Sequence, residues 1–127
     1  NGGSSYGVNI TSTVIQTTHD ESGSSTDFTY ETGLDLANST NFQYIGNGEA
    51  ADNDAGSSGF LRLLDPSNTT FVKHFMIDYS TFDQAPTLIV EKIAGYFNTT
   101  SAIDAIQFKM TSGNIDAGTI QLFGVVS

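Results

Sequence analysis

Phe71-Val72-Lys73-His74-Phe75-Met76-Ile77-Asp78-Tyr79 sets the terms on which the rest of the chain is read. Phe71, Phe75, Ile77 and Tyr79 share one parity, while Val72 and Met76 take the other. A period of two means a β-strand, and apolar groups of both parities mean a strand with neighbours on both sides. The spacing therefore predicts a central strand here. The same rhythm recurs upstream, where Val8, Ile10, Ser12 and Val14 alternate with Asn9, Thr11 and Thr13. Phe28, Tyr30 and Thr32 alternate with Thr29 and Glu31, and Leu34 and Leu36 carry the pattern past Gly33. Phe42-Gln43-Tyr44 is a third candidate strand. Residues 59–64 read as a strand covered on two sides. Residues 88–93, 103–110 and 119–125 complete the set.

Turn-forming clusters separate these runs: Gly46-Asn47-Gly48, Asp65-Pro66-Ser67-Asn68, Asn98-Thr99-Thr100-Ser101 and Ser112-Gly113-Asn114. No stretch longer than one turn carries the 3.6-residue period of an amphipathic helix. The expectation is an all-β, antiparallel sandwich of seven or eight short strands, jelly-roll-like, with a barrel as the other closed solution. At 127 residues the chain reads as a single domain, residues 1–127. No repeat of fixed period and no linker divides it. The opening Asn1-Gly2-Gly3-Ser4-Ser5-Tyr6 reads as a loop between strands, so one or more N-terminal strands are expected to be missing.

Composition narrows the function classes. Apolar residues make up 38% of the chain, below the globular average of roughly 45–50%, and Phe and Tyr supply much of that share. A thin sandwich suits such a chain better than a deep enzyme fold. The formal charge is −10, and Arg62, Lys73, Lys92 and Lys109 are the only basic side chains besides two histidines. They form no cluster, which argues against nucleic-acid binding through phosphates. The absence of Cys removes disulfides, thiolate metal sites and cysteine nucleophiles. A small extracellular domain without disulfides is expected to draw stability from oligomerisation. No apolar run reaches the ~18–20 residues of a membrane-spanning helix, so no membrane insertion is expected.

Few residues invite a chemical reading. His19-Asp20-Glu21 could be a metal-ligand group or a general base, but with no companion histidine or nucleophile it reads better as a polar hairpin tip. His74 sits within the central strand and reads as a strand side chain. Glu49, Asp52 and Asp54, with Asn53 between them, are the best metal candidates. Carboxylates and an amide oxygen lie close together on a flexible stretch, as calcium requires, although the spacing is not that of an EF-hand. The alternative is a solvated acidic loop, and no other cofactor is expected. Residues 20–65 hold most of the carboxylates and one basic residue, Arg62, which points to long exposed loops. Asn9, Asn38, Asn68 and Asn98 each open an N-glycosylation sequon, relevant only in a eukaryotic host. The chain has no nucleophile elbow, no phosphate-binding glycine loop and no Trp for sugar stacking, so it is not expected to be an enzyme.

The C-terminal third adds a resemblance. The stretch Thr100-Ser101-Ala102-Ile103-Asp104-Ala105-Ile106, the Ser112-Gly113-Asn114-Ile115 turn and the closing Gly118-Thr119-Ile120-Gln121-Leu122-Phe123-Gly124 resemble the ending of small β-sandwich structural proteins of tailed bacteriophages, notably marine and cyanobacterial ones. Residues 59–75, with Asp65-Pro66-Ser67-Asn68-Thr69-Thr70-Phe71, fit the same pattern, so the resemblance covers about half the chain. It implies a jelly-roll-like fold in which Ile103, Ile106, Phe108, Ile120, Leu122 and Val125 fill two core strands. It also implies a fibre or capsid-decoration role on the virion surface, with no catalytic residues to carry over. The expected partners are other virion proteins and further copies of the chain, a trimer being favoured because closure covers strand edges. A host-surface glycan is a further possible ligand. The rival reading is a carbohydrate-binding module using Tyr6, Tyr44, Tyr79 and Tyr96 as platforms; a third is a filament subunit joined by donated strands.

Overall fold

The computed structural model describes residues 6–48, 55–83 and 85–125. Five strands form one antiparallel sheet: β1 (Ile10–Asp20), β2 (Thr26–Tyr30), β3 (Ser57–Leu63), β4 (Lys73–Asp83) and β5 (Thr87–Phe97). Their order across the sheet is β2-β1-β5-β4-β3. The all-β, antiparallel expectation holds.

β5 is the axis. It pairs with β1 from Ile10↔Phe97 to Asp20↔Thr87 and with β4 from Lys73↔Phe97 to Asp83↔Thr87. Every residue of β5 therefore has a neighbour on both sides. Registers of this kind fix which parity faces which side. Val14, Ile93 and Ile77 lie in one row, and Phe75 lies beside Gly95 in the next. These apolar groups, Val14, Phe75, Ile77 and Ile93, are buried and form the core. Ile10, Leu34, Ile45, Leu63, Tyr79 and Phe97 pack around them.

The chain between β2 and β3 covers this core face. Leu34 and Ile45 reach the core, and Gln43 and Leu36 are fastened to buried Ser12. Ser12 Oγ donates to Gln43 Oε1 (2.5 Å) and accepts from the Leu36 amide (3.0 Å). The Gln43 side-chain amide donates in turn to the carbonyls of Leu34 and Tyr44. Backbone bonds from Ser12 to Leu36 and between Ile10 and Ser39 extend the edge of β1 beyond the end of β2. Phe42-Gln43-Tyr44 is thus a covering loop and not a strand, because its glutamine is committed to satisfying backbone groups over the core.

Two further expectations are corrected. Residues 59–64 are not covered on two sides: β3 is an edge strand, and Phe60 is 73% exposed. Residues 103–110 and 119–125 are not strands, and their apolar side chains line no core. Leu122 and Val125 are each 95% exposed, and Ile106, Phe108 and Ile120 are exposed as well, with Ile103 half-buried. A strand needs a paired backbone, and among the described residues this arm pairs with no strand. Among the described residues the strands make one sheet, and the second sheet of a sandwich or jelly roll is not seen.

Gly95 is required by packing. A Cβ there would lie 2.5 Å from the Thr11 carbonyl oxygen and 2.7 Å from the tip of the Phe75 ring. The ring occupies the missing side chain's place and also meets Phe97, with centroids 5.1 Å apart. Gly95→Ala is expected to lower stability in urea unfolding by about 1–3 kcal/mol through overpacking. Gly56→Ala, where added carbon meets nothing within 4 Å, should stay within about 0.5 kcal/mol of the parent.

Candidate interaction surfaces

Opposite the covered core, the sheet presents a second face. His74, Met76, Asp78 and Ser80 of β4 point to it, as do Val90, Lys92, Ala94 and Tyr96 of β5. Thr13 and Ile15 of β1, Phe28 and Tyr30 of β2, and Phe60 and Arg62 of β3 extend it to both edges. One row reads Phe60, Asp78, Lys92, Ile15, Tyr30 across all five strands. Lys92 and Asp78 form a cross-strand ion pair at its centre. The ammonium donates to the carboxylate and, by hydrogen bond first and charge second, holds Asp78 below the usual carboxylate range. A shallow depression of about 220 Å³ beside this pair is lined by Thr13, Ile15, Met76, Asp78, Lys92 and Ala94, among others. It is smaller than the roughly 300–1,000 Å³ of ordinary ligand pockets. Phe28 is 71% and Met76 48% exposed, so large apolar groups lie open to water on this face.

His19, Asp20 and Glu21 are built into the β1–β2 turn. Asp20 accepts from the hydroxyls of Ser22 and Ser24 and from the Ser25 amide. These bonds stabilise the carboxylate and hold its pKa far below the ordinary range. Gly23, at φ 71°, completes the turn, and its amide donates to the Asp20 carbonyl. The Glu21 amide donates to the Pro86 carbonyl, tying this turn to the β4–β5 turn. His19 is an exposed residue paired with Thr26 and Leu88. The cluster is a hairpin tip, as its plainer reading held.

Glu49, Asp52 and Asp54, with Asn53, lie outside the described residues. Among the described residues, no three His, Asp or Glu side chains gather where they could hold a metal ion. The tyrosine platforms are dispersed. Tyr79 packs on the core side and its hydroxyl donates to Ser57 Oγ (2.5 Å). Tyr96 lies on the opposite face against His74, with ring centroids 6.0 Å apart. Tyr6 and Tyr44 are about half exposed and in neither strand set. Phe28, Tyr30 and Phe60 join Tyr96 on the open face, and none of these three was among the tyrosines singled out from the sequence.

All four sequon asparagines are occupied by structure. Asn38, at φ 50°, accepts at Oδ1 from the side-chain amides of Asn9 and Asn98, each at 3.1 Å. The Asn98 amide donates to the Asn9 carbonyl at 2.7 Å. Asn68 Oδ1 accepts from the amides of Thr70 and Phe71, while its Nδ2 donates to Asp65. Asparagine serves these places because its short side chain mimics a backbone turn and it tolerates positive φ.

Charge is also found inside. Lys73 and Glu91 are among the most buried side chains. Lys73 Nζ donates to the carbonyls of Phe71 and Thr99, and Glu91 Oε1 accepts from the Gln16 amide at 3.1 Å. Lys73 stands at the start of β4, and Glu91 lies between buried Ile89 and Ile93 on the core face of β5.

No protein-family model matches the chain, and no curated protein or solved structure matches it either.

Two measurements check these assignments. Asp20→Asn is expected to lower the melting temperature at neutral pH. The folded pKa is depressed, so the stabilisation is present above the ordinary carboxylate value of 3.8 and lost as pH falls towards the folded value. The gap between parent and variant should therefore close on acidification. Asn38→Ala is expected to cost about 1–2 kcal/mol, and Asn38→Gly less, because glycine restores the backbone freedom that alanine lacks at positive φ. Equal losses would remove backbone conformation as a reason for asparagine there.

Proposed function

We propose that this chain is an exposed structural subunit of a bacteriophage particle, a capsid decoration, head-fibre or tail-fibre domain, working by assembly and not by catalysis. The observation that carries the reading is the amount of sheet-forming apolar surface left at water. Among the described residues the outer edges of β2 and β3 pair with no further strand, Phe28, Phe60 and Met76 stand on the open face, and the C-terminal arm exposes apolar side chains along its length. Contiguous surface of this kind marks an interaction site. The phage resemblance of residues 94–125 supplies the setting. The charge of −10 suits a crowded, repeated surface, since copies repel until salt screens them over about 3–10 Å. Closed assembly, with a trimer favoured, covers edges that would otherwise recruit further chains without limit.

A second reading has one observation in its favour. Phe28, Tyr30 and Phe60 share the open face with the Asp78–Lys92 pair, an arrangement of rings and polar groups that suits a glycan. The two readings are compatible, because a virion surface domain can also attach to a host.

Particles purified from the producing culture are expected to contain the protein by peptide mass spectrometry and to bind its antibody in immunogold images. Protein found only in the unassembled fraction would overturn the virion reading. Binding on a glycan array, abolished by Phe60→Ala, is the result expected if the open face holds sugar; an array without hits removes that reading.

A further inference from the structure

We propose that the C-terminal arm of one copy adds residues 119–125 as a sixth strand to the open edge of β3 in a second copy. This rests on the assembly reading and names the contact that performs it.

The arm carries the pattern of a strand without the bonds of one. Its start is held where the Ile103 amide donates to the Pro66 carbonyl and Lys109 lies 4.2 Å from the centre of the Phe42 ring. Beyond that point it takes part in no strand pairing. Ile120 and Leu122 share one parity, Phe123 and Val125 the other, and all four are at least 68% exposed. Gly113 and Gly118 have positive φ, so the arm already contains the bends that separate two extended pieces.

The edge of β3 matches residues 119–125 in three respects. It is seven residues long, Ser57–Leu63, as the arm segment is. Neither segment carries an acid, which matters in a strongly acidic chain: Arg62 is the one charged residue of β3, and the arm segment has none. By contrast the other edge, β2, is five residues long, contains Asp27 and runs into Glu31. Two copies at −10 each meet with least repulsion through the neutral arm and the β3 edge. Finally, β3 presents Leu61 and Leu63 to the core face and Phe60 to the open face. An added strand with Ile120 and Leu122 beside Leu61 and Leu63 extends the core, and its other parity sets Phe123 beside Phe60. Backbone bonds supply the affinity and these alternate side chains the register.

The chain lacks cysteine, so single introduced thiols report one place each. Gln121→Pro and Leu122→Pro remove amide donors of both parities in the arm, outside the five-stranded sheet. Sedimentation equilibrium is expected to show a dimer or larger species for the parent and at least a tenfold weaker association for the proline variants, with unchanged far-ultraviolet circular dichroism. Mixing Phe60→Cys protein with Phe123→Cys protein and a short bis-maleimide should give a cross-link between chains. An oligomer indifferent to both prolines, or a mixture that yields no such cross-link, overturns the exchange and leaves the assembly reading in place. A parent that stays monomeric at high concentration overturns both. A Phe60→Cys/Phe123→Cys double variant that links only within one chain also overturns the exchange, because the arm then closes on its own edge.

Discussion

The pairing of β5 along its whole length, to β1 on one side and β4 on the other, is the constraint from which the remaining structure follows. It brings residues far apart in sequence, Val14, Ile77 and Ile93, into one row, and it sets the parity of every side chain in the three longest strands. The cost of closing these long loops is met only when the paired strands also bury a face. They bury it beneath the chain that joins β2 to β3, whose Leu34 and Ile45 pack on the core while Gln43 and Ser12 satisfy the backbone groups trapped there. Phe75 lies over Gly95 because two long strands approach closely enough to leave no room for a Cβ. One packed face, three long strands and a polar latch form a self-consistent unit.

The strands that flank this unit are of another kind. β2 and β3 each pair on one side, are short and are largely exposed. Among the described residues their outer sides pair with no further strand. Charge divides within the three long strands themselves. Lys73 and Glu91 are buried within the packed unit and hydrogen-bonded, whereas Asp20 and Asp78 are stabilised at the surface by hydroxyls, an amide and Lys92. Asp20 builds a turn, and Asp78 ties two neighbouring strands together through Lys92.

Alternation made β1, β4 and β5 legible in the sequence because those strands face a packed side, where period two is enforced by burial. The same signal misled at residues 103–125. Alternation records that a segment was shaped to sit in a sheet, but the sheet's other strand is a separate backbone, and no local pattern specifies where that backbone lies. At residues 59–64, apolar groups of both parities suggested a covered strand; position at the sheet edge, a property of topology, left them open. Phe42-Gln43-Tyr44 failed for a different reason, since two rings around a glutamine serve equally well in a loop whose amide caps carbonyls. The turn at Asp20 was legible because Ser, Gly and Asp have local roles. The convergence of Asn9, Asn38 and Asn98 was not, since it joins three loops through long-range pairing. The open face, with Phe28, Tyr30 and Phe60, was hidden likewise: each ring is unremarkable until register places it.

Exposed apolar strand and high negative charge look contradictory in one small chain, yet each limits what the other can do. An unpaired arm with Leu122 and Val125 almost wholly in water would, on a neutral protein, pair with any available edge. Fourteen carboxylates against four basic side chains impose a repulsion that only a well-matched contact overcomes. Such a contact must join surfaces that are themselves free of acid, which leaves the arm's last segment and the β3 edge as the natural pair. Specificity here comes from repulsion at every unmatched approach, and affinity from the backbone bonds of the one approach that fits. Assembly that depends on both would be strengthened by salt in its rate and limited by strand register in its geometry.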